Sequence, residues 1–364
     1  MTRRPELKIG FTTGTALTAS VKAALTLLLA GQTLAEVRVS LPGRRTWNVP
    51  LRRVEALADK RARASVLKDA GDDPDLTHRA EVGTVVELLE PEEGLVFAAG
   101  PGVGTVTKPG LPLAVGQPAI NPSVRRQVLR AVKEVLRAAG RPDSGFGLRV
   151  EAFITGGQEL ARKTLNPKLG IVGGLSILGT TGLVKPFSHA AYRATIVVEL
   201  KVARAAGRER IILATGRSSA RLARRRLGEA EESCVQVGDH VAFGLRQAGR
   251  LGFGRAVVAA FFGKTLKLAR GLGQTRFDAA PMKLEPLARL TLDLTGQEPL
   301  ARAVAGANTA RQALELLEGA GAGAVIRAAA EQARDYCGRT AGPDMEVGYL
   351  LFDPKGRILY EAGT

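Results

Sequence analysis

Residues 166–182 place five glycines and a Thr-Thr pair among small apolar side chains over seventeen positions. Ile171, Val172, Leu175, Ile177 and Leu178 make the run too apolar for a flexible linker. Glycine at that density leaves little side chain to fill a core. Such a segment can be buried only where another backbone, or a flat ligand, approaches it closely. The rest of the chain has to supply that neighbour.

Three earlier loops are comparably unusual. Residues 68–78 carry Lys68, then Asp69, Asp72, Asp73 and Asp75 within seven positions, broken by Gly71 and Pro74 and closed by His78. Crowded like charges and a proline exclude a regular element there. Residues 100–110 form a glycine loop in which Lys108 is followed by Pro109 rather than by a helix, so it is not a Walker phosphate loop. Residues 116–122 end with Asn121 placed to cap a helix starting at Pro122. Short apolar strands are expected over 82–89 and 95–99. Residues 122–139 have helical apolar spacing, with Arg125, Arg126, Arg130, Lys133 and Arg137 interleaved. Ahead of these, Thr12, Thr13 and Thr15 precede a helical pattern over 16–30, so their hydroxyls and the orphan N–H groups of the helix start point to one place. Simple capping by a threonine explains them equally well.

At 364 residues the chain is long enough for two cores. Its net charge of +17 implies a polyanionic partner: nucleic acid, a phosphate-rich ligand, or a small molecule bearing several carboxylates. Aromatic residues make up only 4% and do not cluster on a basic segment, which disfavours a nucleic-acid surface. Two cysteines and three scattered histidines support neither a disulfide framework nor a protein-bound metal. The basic residues 1–5 lead into no secretory apolar core, and no apolar run approaches the roughly 20 residues of a membrane span, so a cytoplasmic protein is expected.

The second half reads differently. Residues 189–206 have helical length, and 211–216, 234–238 and 256–263 each read as a buried strand ending in a glycine-containing loop and followed by a helix. That alternation predicts a parallel sheet of Rossmann type, with ligands at the strands' carboxyl ends. No Gly-x-Gly-x-x-Gly fingerprint marks a dinucleotide. A hairpin is expected within 345–360.

Residues 10–15, 69–78, 102–111, 119–122 and 174–182 together resemble the corresponding motifs of the CbiD family, the cobalt-precorrin-5B C1-methyltransferases of anaerobic cobalamin biosynthesis. The likeness is dense up to about residue 186. It departs at Ala16, where the family has cysteine, at Phe261-Phe262 before Gly263-Lys264, and at Thr275-Arg276, where the family carries histidines; Asp278 still follows.

The resemblance implies an α+β N-terminal domain over 1–190 carrying most motifs. A smaller Rossmann-like α/β domain over 191–364, with C-terminal helices and a hairpin, completes the implied fold. It also implies an S-adenosylmethionine-dependent methyl transfer to ring carbon 1 of a cobalt tetrapyrrole, with cobalt present only as part of the substrate. No nucleic acid or membrane is involved on this reading, and a homodimer is compatible with it. For the macrocycle's acid side chains the candidates are Lys68, Lys108, Arg125, Arg126, Lys185 and Lys264, with Thr12, Thr13, Thr15, Thr180, Thr181 and Asn121 as hydroxyl, amide and backbone donors. Asp69, Asp72, Asp73 and His78 are the candidates for orienting the reacting ring or taking its proton; a neutral histidine can act as a base near pH 7. By fold analogy the donor falls to Thr215, Gly216, Gly238, Asp239, Gly263 and Lys264. Two other readings stay open: a corrinoid-binding protein without turnover, from the missing histidines, and a basic nucleic-acid-binding protein, from the charge.

Overall fold

The computed structural model describes residues 7–58, 60–276 and 282–364, so Asp278 lies outside the described residues. The chain divides into two compact units, Met1–Ser188 and His189–Thr364, each with its own apolar core.

In the first unit β1 (Gly10–Phe11) leads into α1 (Thr13–Ala30). This helix starts three residues before the apolar pattern suggests, because the Thr12 hydroxyl accepts from the Thr15 N–H and closes the first turn. It ends at Gly31, whose positive φ of 65° lets its N–H reach the Leu27 carbonyl. Contrary to the sequence expectation, α1 is long and apolar enough to cross a membrane by length and composition, but 67% of it is buried inside the protein. A hairpin follows, β2 (Glu36–Leu41) and β3 (Arg45–Pro50). The chain continues through β4 (Arg53–Ala58), β5 (Arg61–Leu67), β6 (Glu81–Leu89) and β7 (Leu95–Ala99). Two-residue strands β8 (Gly102–Val103) and β9 (Thr105–Val106) precede α2 (Pro122–Ala138) and β10 (Gly147–Ile154).

Five of these form one sheet in the order β4-β5-β6-β10-β7, with β10 antiparallel to β6 and parallel to β7. Helix α1 packs on β5 and β6 and also against α2. A helix covered on several sides has no need of a polar stripe, which explains its Ala/Leu composition. Helix α2 behaves differently: Val124, Val128, Val132, Val135 and Leu136 are buried, while Arg126 and Arg130 face out. The unit closes with α3 (Gly157–Arg162), β11 (Ile171–Val172), β12 (Gly174–Leu175) and β13 (Leu183–Val184). These last strands pair with β9, β8 and β1 respectively.

The second unit runs α4 (His189–Ala205), β14 (Arg210–Ala214), α5 (Arg217–Leu227), β15 (Cys234–Gln236), α6 (Val241–Arg250), β16 (Arg255–Phe261) and α7 (Phe262–Ala269). Helices α8 (Glu285–Thr295), α9 (Glu298–Ala305), α10 (Ala310–Gly319) and α11 (Gly323–Ala341) lead to β17 (Glu346–Phe352) and β18 (Ile358–Ala362). The sheet order is β15-β14-β16-β17-β18. The first four strands are parallel and β18 closes an antiparallel hairpin. Strand order therefore reverses between β14 and β16, the place where open α/β sheets leave a crevice at the strands' carboxyl ends.

Candidate functional site

The glycine run finds its neighbour in the chain itself. A Cβ on Gly174 would lie 2.2 Å from the Gly102 carbonyl oxygen, and one on Gly179 would lie 2.3 Å from the Thr12 hydroxyl. Residues 174–182 are thus pressed onto the glycine loop on one side and the start of α1 on the other. The Leu178 carbonyl accepts from the Gly14 N–H at 2.8 Å and from the Thr13 hydroxyl, and the Thr15 hydroxyl donates to the Gly182 carbonyl at 2.7 Å. What sits at the helix start is this loop, and Thr13 and Thr15 are buried beneath it.

Helix α2 begins at the same place. Asn121 caps it by accepting from the Ser123 N–H at 2.9 Å, while its own N–H donates to the Ile177 carbonyl. Two helix N-termini therefore abut residues 177–182, and the tip of that loop, Leu178, Thr180 and Thr181, stays exposed.

The acidic loop is fastened against β1. Asp69 accepts from the Gly71 N–H at 2.8 Å and from the Lys8 ammonium at 2.9 Å; the hydrogen bond from Lys8 and that from Gly71 hold its carboxyl below the usual range. Asp72 accepts from the Lys8 N–H at 2.6 Å, and Asp73 from the Phe187 N–H at 3.1 Å. Gly10 passes so close that a Cβ would lie 2.3 Å from the Ala70 carbonyl carbon. His78 accepts from the Ala70 N–H through Nδ1 at 3.1 Å, so its proton is on Nε2. The half-exposed ring therefore offers a donor, and the base role expected of it is not the one this tautomer supports.

Lys68 is a correction. Expected among cations at a rim, it is 2% exposed, and its ammonium lies 2.6 Å from Asp75. Burial pushes the Asp75 carboxyl up, but the charge of Lys68 and hydrogen bonds from Lys68 and Thr77 outweigh it, leaving the carboxyl below its ordinary value. Arg125 is likewise turned inward, donating to the Ile120 and Pro118 carbonyls at 3.0 and 3.2 Å. The stem of Lys108 lies against Gly170. Arg126 and Lys185 are the exposed cations of the set on this unit.

Phe187 was not legible as part of this surface. Its φ of 54° lies in the left-handed region, its side chain is 68% exposed, and Asp73 holds its amide. That conformation costs a non-glycine residue roughly 1–2 kcal/mol. Phe187→Gly is therefore expected to leave the unfolding midpoint unchanged or higher, as checked by urea denaturation; a clear loss of stability would show that the ring is packed.

In the second unit, three stretches far apart in sequence meet. Asp239 Oδ1 accepts from the Lys264 ammonium and from the Thr275 hydroxyl, the latter at 2.9 Å, and Lys264 also donates to Thr275 at 3.0 Å. Burial would raise the Asp239 carboxyl, but Lys264 and Thr275 hold it below the usual range. Among the described residues no side-chain donor to its Oδ2 is present. Buried Lys267 donates to the Thr275 carbonyl at 2.8 Å. Beside this cluster the rings of His189 and His240 meet edge to face at 5.4 Å, with Tyr192 5.7 Å from His240. Burial, then the neighbouring His189, pulls His240 below its ordinary value. Gly238 has φ 56°, and a Cβ there would lie 2.9 Å from the Tyr192 hydroxyl. Thr215 directs both its N–H and its hydroxyl to the Ala259 carbonyl, while Gly216 and Gly263 stand at the starts of α5 and α7.

Asp239 and Lys264 were expected from sequence; Thr275, Lys267, His189, His240 and Tyr192 were not. Only Thr275 carried a signal, as part of a motif that here lacks its histidine.

Residues 1–186 match the CbiD family, and residues 274–363 match the CbiD C-terminal domain. The chain is 43% identical to the cobalt-precorrin-5B C(1)-methyltransferase of Nitratidesulfovibrio vulgaris, over 99% of this chain and 94% of that one. It is 42% identical to the protein of the same name from Salinispora arenicola, over 98% and 93%. A crystal structure of the cobalamin biosynthesis protein CbiD from Archaeoglobus fulgidus shares 28% identity, with a TM-score of 0.40, over 75% of this chain and 83% of that one.

Proposed function

The chain belongs to the CbiD family, and from that premise we propose that it methylates ring carbon 1 of cobalt-precorrin-5B in cobalamin biosynthesis, with S-adenosylmethionine as donor. Identity of 43% along 99% of the chain to a relative bearing that name carries this reading. The net charge of +17 suits a substrate rimmed by acid side chains.

We assign the donor to the second unit, which we describe as Rossmann-like from its strand order. The Asp239 cluster suits it: Oδ2 would accept from a ribose hydroxyl or an ammonium, and the Lys264 and Thr275 contacts fix Oδ1. S-adenosylmethionine supplies an electrophilic methyl group. The first unit supplies the surface for the macrocycle, where Lys185, Arg126, Thr180 and Thr181 are exposed for its carboxylates and the His78 Nε2–H can donate. Methylating a ring carbon leaves the ring one proton in excess. We assign that proton to Asp72 and Asp73 of the acidic loop, each of which accepts one backbone N–H.

Residues here align partners and exclude water rather than form a covalent intermediate. Lys264→Met frees the Asp239 carboxylate it holds, and a fall in kcat/KM of about 100-fold is expected, the size seen when one fixed electrostatic group is removed. Initial rates with S-adenosylmethionine and cobalt-precorrin-5B measure it. The same incubation tests the function: the tetrapyrrole gains the mass of one methyl replacing hydrogen. Tight binding of the tetrapyrrole with no gain in mass would make the chain a corrinoid-binding protein instead.

A further inference from the structure

Beyond the methyl-transfer reading, we propose that the second unit carries a separate anion-binding cleft that takes an organic ligand bearing carboxylates or phosphates. The cleft has a volume of about 380 Å³ and is lined by Ser218, Arg221, Phe261, Phe262, Arg311 and Lys355 among others. That is within the usual size of a ligand pocket, roughly 300–1,000 Å³.

Its position follows from the sheet. Strand order reverses between β14 and β16, and the helices that leave those strands, α5 and α7, both begin at the cleft. Among the described residues the N–H groups of Arg217, Ser218, Phe262 and Gly263 have no backbone acceptor. Two helix starts thus direct partial positive charge into one cavity. On the opposite wall the turn between β17 and β18 comes close, since a Cβ on Gly356 would lie 3.0 Å from Leu222.

The charge of the lining is of one sign. Arg221, Arg311 and Lys355 contribute cations, and no carboxylate is among the described lining residues. Arg311 pairs with Glu315 at 3.0 Å along its own helix, an exposed pair that holds little of its charge back. Phe261, Phe262, Leu222 and Leu314 add an apolar wall. A sulfonium and an ammonium, both cations, gain nothing from such a lining, whereas an anion with an apolar body does. The cleft is thus different in kind from the Asp239 cluster, and the inference stands whether or not that cluster holds the donor.

Two sources share this chemistry: the acid side chains of the tetrapyrrole and a free phosphate- or carboxylate-bearing metabolite. Calorimetric titration of the full chain with citrate and with pyrophosphate, at fixed ionic strength, tests the site. Both probes are expected to bind, and Arg221→Ala and Lys355→Ala each to weaken binding about tenfold, as loss of one charge-assisted contact does. Arg221→Lys should recover part of it, and Lys60→Ala, which removes the same charge from a hairpin of the first unit, should change nothing. Absence of binding, or equal affinity in every variant, overturns the proposal. The KM for cobalt-precorrin-5B then separates the sources. A rise in Arg221→Ala assigns the cleft to the substrate's own acids, and an unchanged KM assigns it to a second ligand.

Discussion

Asp75→Ala is expected to destabilise the first unit by about 3–5 kcal/mol, the range for removing one partner of a buried ion pair. The reason is the charge left behind. The Lys68 side chain is 1% exposed, and its ammonium meets Asp75 at 2.6 Å. Without that carboxylate the ammonium has lost its partner in a poorly solvated place. Lys68→Met combined with Asp75→Ala removes the stranded charge and is expected to be markedly less destabilising than Asp75→Ala alone. Denaturant unfolding of the three proteins measures both effects. The pair also has a pH signature. Because the folded Asp75 carboxyl lies below its ordinary 3.8, its stabilisation is present above that pH and is lost as pH falls through the lower folded value. Asp75→Asn should flatten that acid limb of the stability curve.

Gly102→Ala is the second change expected to be severe, at about 3–5 kcal/mol from overpacking and an unfavourable backbone together. Gly102 has φ 77°, and a Cβ would fall 2.0 Å from the Ile154 carbonyl oxygen and 3.1 Å from the Gly157 Cα. Both contacts are with backbone, so nothing flexible can yield. Gly173→Ala separates the two causes: its φ is 88°, but a Cβ there would meet nothing within 4 Å. It should cost only the conformational part, roughly 1–2 kcal/mol. Equal losses at the two positions would mean that close approach of backbones does not hold the glycine loop to the end of β10 and the start of α3.

Helix α2 was legible because its burial is one-sided, along the stripe Val124, Val128, Val132. The three parallel strands were legible because they are buried on both faces and so read as continuous apolar runs. The need for a close neighbour at residues 166–182, either a backbone or a flat ligand, was legible too, from glycine density among apolar side chains. Which backbone it was could not be read, since strands of two residues such as β8 and β12 carry no period. Charged residues were the hardest to place. Lys68 and Lys185 look alike in sequence, yet one is buried on Asp75 and the other faces solvent. The Asp239, Lys264 and Thr275 cluster was half visible: strand ends indicate the first two, whereas Thr275 reaches them only through the tertiary fold.

The central functional claim is that this chain moves a methyl group from S-adenosylmethionine to one ring carbon. Its most direct test is to supply S-adenosylmethionine with an isotopically labelled methyl, together with cobalt-precorrin-5B, and to locate the label in the isolated product by NMR. The account predicts a labelled methyl on ring carbon 1, dependent on Lys264. Label on another carbon, or none in the macrocycle under conditions where both compounds bind, would contradict it.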